Sequence, residues 1–105
     1  MIKVIINETE KINSIEISGH SGYSESGSDI VCASVSSICI TTVNGILNID
    51  NSALEYKDSD GYLNISIIKH SDIIDKLIMN MINLLEELKE QYENYIEIRR
   101  CQIWD

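Results

Sequence analysis

The sequence predicts an α+β fold: one mixed or antiparallel five-stranded sheet with two helices, ordered strand-strand-helix-strand-strand-helix-strand. Three observations carry this. Short runs with apolar residues at every second position alternate with turn residues, the strand pattern. Two longer segments, from about 29 to 49 and from 72 to 92, are apolar at helical spacing. One sheet with both helices against a face is the economical way to bury all of them.

The first strand is read over residues 2–7, which are β-branched and apolar. Asn7 to Glu10 is a polar turn. A second strand follows over 11–18, with Ile15 and Ile17 on one face and Glu16 and Ser18 on the other, so the two runs form a hairpin. Residues 19–28 break the pattern. Gly19, Gly22 and Gly27 allow backbone angles that other residues resist, and a connection of this length reads as a flexible, functional loop. Ser28 is expected to cap the first helix, with Asp29 in its first turn. That helix should run to about Ile49. It is apolar on most sides, and Ala33, Ser34, Ser36 and Ser37 are small. This predicts burial on more than one face, between the sheet and the other helix or at a subunit contact.

Leu54 and Tyr56 alternate with polar residues in a third strand. Asp58-Ser59-Asp60-Gly61 reads as a hairpin turn, since Asp-Gly accepts positive φ. Residues 62–68 form a fourth strand, with Leu63, Ile65 and Ile67 on one face. Ser71 and Asp72 start the second helix, and Ile74, Leu77, Ile78, Met81, Leu85, Leu88 and Tyr92 make its apolar stripe. Residues 95–100 are the last strand, which 101–105 can extend.

At 105 residues the chain is expected to be one domain, 1–105. The net charge of −9 argues against nucleic-acid binding, which needs clustered Lys and Arg. It suits solubility and can attract a basic partner. Cys32, Cys39 and Cys101 are odd in number and form no CxxC, so neither a disulfide framework nor a zinc site is expected. No cofactor motif is read, and none is expected. A reduced, cytoplasmic protein fits this cysteine usage. The first seven residues are too short and too soon polar for a signal peptide. No apolar run is read as approaching the ~18 residues of a membrane span.

The chemistry gathers between Gly19 and Ser36. Cys32 falls in the first turns of the predicted helix, where free N–H groups and the helix dipole favour a thiolate. The same N–H groups can hold an oxyanion. His20, at the end of a strand, can take the thiol proton and return it to a leaving amine. Asp29 reads two ways, as a third member orienting His20 or as a helix cap. Cys32 also has a plain reading: Cys39 lies seven residues on, on nearly the same helix face, and buried cysteines are ordinary core residues. A strand-end histidine bonded to a carbonyl is the plain reading of His20. Gly19-His20-Ser21-Gly22 lacks the last glycine of a serine elbow, because position 23 is Tyr23. Asp58 to Gly61 lacks the later ligands of a calcium loop, and His70 has no metal partner at ligand spacing.

Gly19-His20, then Gly22-Tyr23, then Gly27-x-Asp29-Ile30-Val31-Cys32-Ala33 with Val35-Ser36, resembles the ribosomal-processing cysteine protease family, Prp. The likeness covers nearly the whole chain. It implies a bacterial endopeptidase that removes the short N-terminal extension of a large-subunit ribosomal protein (number twenty-seven), cleaves after an aromatic residue, and forms homodimers. It implies Cys32 as nucleophile and His20 as general base, with Asp29 and Ser36 in supporting positions. The family often has Ala where this chain has Ser21, a change expected to be harmless. A second reading, resting on charge, is a non-catalytic module that holds a basic ribosomal partner on its acidic face.

Overall fold

A computed structural model describes residues 1–25 and 29–102. The chain opens with two seven-residue strands, β1 (Ile2–Glu8) and β2 (Ile12–Ser18). They pair antiparallel, with Val4 opposite Ile17 and Ile6 opposite Ile15. Then come α1 (Ile30–Ile49), β3 (Leu54–Ser59), β4 (Tyr62–Ile67), α2 (Asp72–Gln91) and β5 (Ile96–Gln102). The element order is the one expected. Ile103, Trp104 and Asp105, read as a possible strand extension, lie outside the described residues.

The sheet order is β3-β4-β2-β1-β5, and β5 runs parallel to β1, so the sheet is mixed. β2 and β3 both oppose β4, and therefore point the same way. β4 and β5 likewise share a direction, since β2 opposes both β4 and β1. Each helix thus crosses over between two parallel strands, and such crossovers are right-handed. The two crossovers step in opposite directions along strands of opposite sense. Right-handedness then puts both helices on the same face.

That face holds a single core. Ile2, Val4, Ile6, Ile15, Ile17, Ile65 and Ile96 rise from the sheet. Val31, Val35, Cys39, Val43 and Ile46 come down from α1, and Ile74, Ile78, Met81, Ile82 and Leu85 from α2. Each buried Ile or Leu contributes about 1.5–3 kcal/mol relative to leaving it exposed, so this face decides the register of every strand.

Three expectations need correction. The N-cap of α1 is Asp29, not a first-turn residue behind a Ser28 cap; its carboxylate accepts from the N–H groups of Val31 and Cys32. Ser28 lies outside the described residues. Second, within one chain α1 buries a single stripe, so the several-sided burial expected between the sheet and the other helix is not found; Ala33, Ser36, Ser37, Thr41, Asn44 and Asn48 are exposed, which leaves the subunit-contact alternative untouched. Third, α1 is uncharged over all 20 residues and is long and apolar enough, by length and composition, to cross a membrane. In this fold its apolar stripe is packed into the core, as expected of a central helix. Ser71 does cap α2, its Oγ accepting from the Ile74 N–H at 3.2 Å.

Candidate active site

The strand directions bring five segments to one end of the sheet. These are the start of β1, the end of β2, the β3–β4 turn, the N-terminus of α1 and the start of β5. Gly19 is fixed there at φ +89°, and its N–H donates to the Gly61 carbonyl at 2.9 Å. A Cβ on Gly19 would lie 2.5 Å from the Met1 carbonyl oxygen, so only glycine fits. Gly22, at φ +74°, has open space around it. Gly27 lies outside the described residues.

His20 is exposed, and its ring lies over Gly61 of the β3–β4 turn. A Cβ on Gly61 would come within 3.0 Å of His20 Nε2. In the sequence Gly61 reads only as a turn residue. Its second task, leaving room for the imidazole, depends on a contact between segments 41 positions apart and has no local signal.

Cys32 is the third residue of α1, which begins at Ile30. It is half-buried at the rim of a cleft, whereas Cys39 is fully buried. Burial pushes the Cys39 thiol up to about 12, so it stays protonated at any physiological pH. The plain reading of a core cysteine therefore describes Cys39 in full, whereas Cys32 packs against the core with one side and lines the cleft with the other.

Asp29 holds the first turn together. Its Oδ1 accepts from the N–H groups of Val31 and Cys32, both at 3.0 Å. Its Oδ2 accepts from the Ser21 hydroxyl. Desolvation pushes this carboxyl up. The bonds from the Ser21 hydroxyl, the Cys32 N–H and thiol, and the Val31 N–H outweigh that and hold it below its ordinary value. Among the described residues none of its hydrogen bonds goes to His20, so the capping reading of Asp29 is the one the geometry carries. Three of the helix-start amides are engaged: those of Val31 and Cys32 serve the Asp29 carboxylate, and the Ala33 N–H donates to the Asp29 carbonyl at 3.0 Å. The N–H that does point at the Cys32 sulfur belongs to Ser21, at 3.3 Å.

Past Ser21 the loop leans on the rest of the molecule. Tyr23 meets Tyr92 and Tyr95 edge-on, with ring centroids 5.6 and 5.2 Å apart. Ser36, one turn beyond Cys32, is exposed on the wall of the same cleft. The cleft encloses about 650 Å³, and His20, Asp29, Cys32 and Ser36 all line it. Ile17, Leu63 and Ile40 supply apolar floor and wall, while Asp58 and Asp60 stand on the hairpin side. A cleft of this volume is in the range of ligand-binding sites. Among the described residues no group of His, Cys, Asp and Glu is arranged to hold a metal.

A thiol at a helix start and an imidazole lining the same cleft are the residue types that cysteine-peptidase chemistry uses. The chain belongs to the cysteine protease Prp family, whose family model matches residues 1–97. It is 26% identical over 100 residues to the ribosomal processing cysteine protease Prp of Staphylococcus aureus (strain Mu50), covering 92% of this chain and 94% of that protein. It superposes with a TM-score of 0.90 and 25% identity on the crystal structure of an essential ribosomal processing protease Prp from S. aureus in complex with a covalently linked product peptide. That match covers 96% of this chain and all of the other. A protein from Streptococcus mutans (SMU.848) has the same fold, with a TM-score of 0.80 at 23% identity, covering 98% of this chain and 96% of that one. The enzyme class of the family is a cysteine protease, which favours the catalytic reading over the binding module.

Proposed function

We propose that this chain is a cytoplasmic endopeptidase that removes the N-terminal extension of a bacterial large-subunit ribosomal protein (number twenty-seven). Cys32 Sγ attacks the scissile carbonyl carbon, and His20 takes the thiol proton. The tetrahedral intermediate collapses to a thioester as His20 protonates the leaving amine. Water, deprotonated by His20, then releases the acid and restores the thiol. The observation that carries this reading is that Cys32 and His20 line one cleft. Ser36, on the cleft wall, and Asp29, behind the nucleophile, are supporting residues.

Charge supports a basic substrate. Asp29, Asp58 and Asp60 line the cleft, and among its described lining residues there is no Lys or Arg. The net charge of −9 acts in the same direction over longer range. A ribosomal protein rich in Lys and Arg is drawn to such a surface, whereas nucleic acid is repelled. The uncharged outward side of α1 supports a homodimer, because an exposed helix face ordinarily carries charge.

Incubation with a peptide spanning the extension and the mature N-terminus tests the reading. Mass spectrometry should show two fragments, cut after an aromatic residue. Cys32→Ala and His20→Ala should each lose at least about 10³-fold in kcat, since dyad members act as a unit. Cleavage at the normal rate by the Cys32→Ala protein would sink the mechanism.

A further inference from the structure

Among the described residues Ser21 is the one buried polar side chain, only 4% exposed. Its groups point three ways. Its hydroxyl donates to Asp29 Oδ2, and the same oxygen accepts from the Tyr23 N–H at 3.1 Å. Its own N–H donates to Cys32 Sγ at 3.3 Å. One residue therefore ties the strand end that bears His20 to the cap of the helix that bears Cys32. We propose that Ser21 is a positioning residue for the thiol chemistry: its hydroxyl, anchored on Asp29, holds its backbone N–H on the sulfur of Cys32. This rests on Cys32 being the nucleophile, and it gives Ser21 a role that a small neutral spacer would not have.

The physical case has two parts that act in the same direction. A backbone N–H aimed at sulfur stabilises thiolate over thiol. The amides of Val31, Cys32 and Ala33 are committed to Asp29, and the donor that reaches the sulfur comes from the strand side. The hydroxyl also draws on the negative charge of Asp29, whose carboxylate itself accepts from the Cys32 thiol and otherwise opposes the thiolate. Removing the hydroxyl loosens the N–H and leaves the carboxylate less well satisfied. Both changes favour the protonated thiol.

The test is the pH dependence of iodoacetamide labelling, read at Cys32 by peptide mapping so that Cys101 does not confuse it. Ser21→Ala should move the Cys32 labelling midpoint upward by about half to one pH unit. Below the midpoint, labelling should fall roughly threefold to tenfold. kcat on the ribosomal peptide should fall in parallel, with KM little changed. Ser21→Thr keeps the hydroxyl and should return the midpoint toward wild type. The Ala variant leaves both N–H bonds to Asp29 Oδ1 in place, and its thermal unfolding is recorded alongside. A fall in Tm with an unmoved labelling midpoint would make Ser21 merely structural and overturn the proposal. The labelling shift stands even if wild type fails to cut the ribosomal peptide, so failure of the substrate assignment is told apart from failure of this inference.

Discussion

At the scale of single residues, the site depends on two glycines and a serine as much as on the cysteine and histidine. Gly19 sits against the Met1 carbonyl, and Gly61 sits under the His20 ring. Both have positive φ, where a Cβ costs about 1–2 kcal/mol. Gly61→Ala should therefore lower stability by that amount and, separately, displace His20. The expected result is a kcat loss larger than the stability loss explains, measured at a temperature where the variant remains folded. A variant with reduced Tm but unchanged kcat would show that the contact with His20 does not matter. Ser21 shows how a neutral-looking residue gains meaning. In the sequence it reads as a harmless replacement for Ala; in the fold it is buried and bonded to Asp29.

At the scale of elements, each helix start is secured by a capping side chain and differs in what else it holds. Asp29 caps α1 and reaches Ser21 across the site. Ser71 caps α2, and Asp75, one turn on, gathers charge from elsewhere in the chain. His70 Nδ1 lies 2.8 Å from Asp75 Oδ1, and Lys11 Nζ lies 3.2 Å from Asp75 Oδ2. The His70 hydrogen bond, with Lys11 behind it, outweighs the opposing effect of desolvation and holds the Asp75 carboxyl below its ordinary value of 3.8. A carboxyl depressed in the folded state stabilises the fold above its unfolded pKa and loses that contribution as pH falls through the folded one. The cluster is partly exposed, so its worth is at most about 1 kcal/mol. Asp75→Asn should lower Tm slightly at pH 7, with the difference from wild type closing as the solution is acidified below 3.8. A gap that persists unchanged at pH 2 would assign the effect to packing rather than charge.

At the scale of the whole molecule, the sheet is covered on one face by two helices, and one of them shows solvent an uncharged side. Gly45 lies in α1 with nothing within 4 Å of where a Cβ would be. Within one chain Gly45→Glu meets no obstacle and gains about 1 kcal/mol of helix propensity. Against a second copy, the same change buries a charge. Light scattering should find wild type dimeric and Gly45→Glu monomeric with its fold intact. A variant as dimeric as wild type would place the contact elsewhere.

The sequence by itself determined the order of elements, the inward faces of β2 and β4 and the α2 stripe, and it singled out Cys32 and His20 as candidates. These follow from local periodicity and from a motif within 18 residues. The motif marked Asp29 without telling cap from partner. Only the tertiary structure decided that Asp29 caps α1 and grips Ser21, that Cys32 is at a cleft while Cys39 is in the core, and that Gly61 makes room for His20. The reason is physical. Periodicity reports which side of an element is apolar, because each residue is read against its near neighbours. Hydrogen bonds between a strand end and a helix start, and the fit of a ring over a turn, depend on how distant segments are brought together. Here the strand directions bring them together, placing the end of β2, the start of α1 and the β3–β4 turn at one end of the sheet.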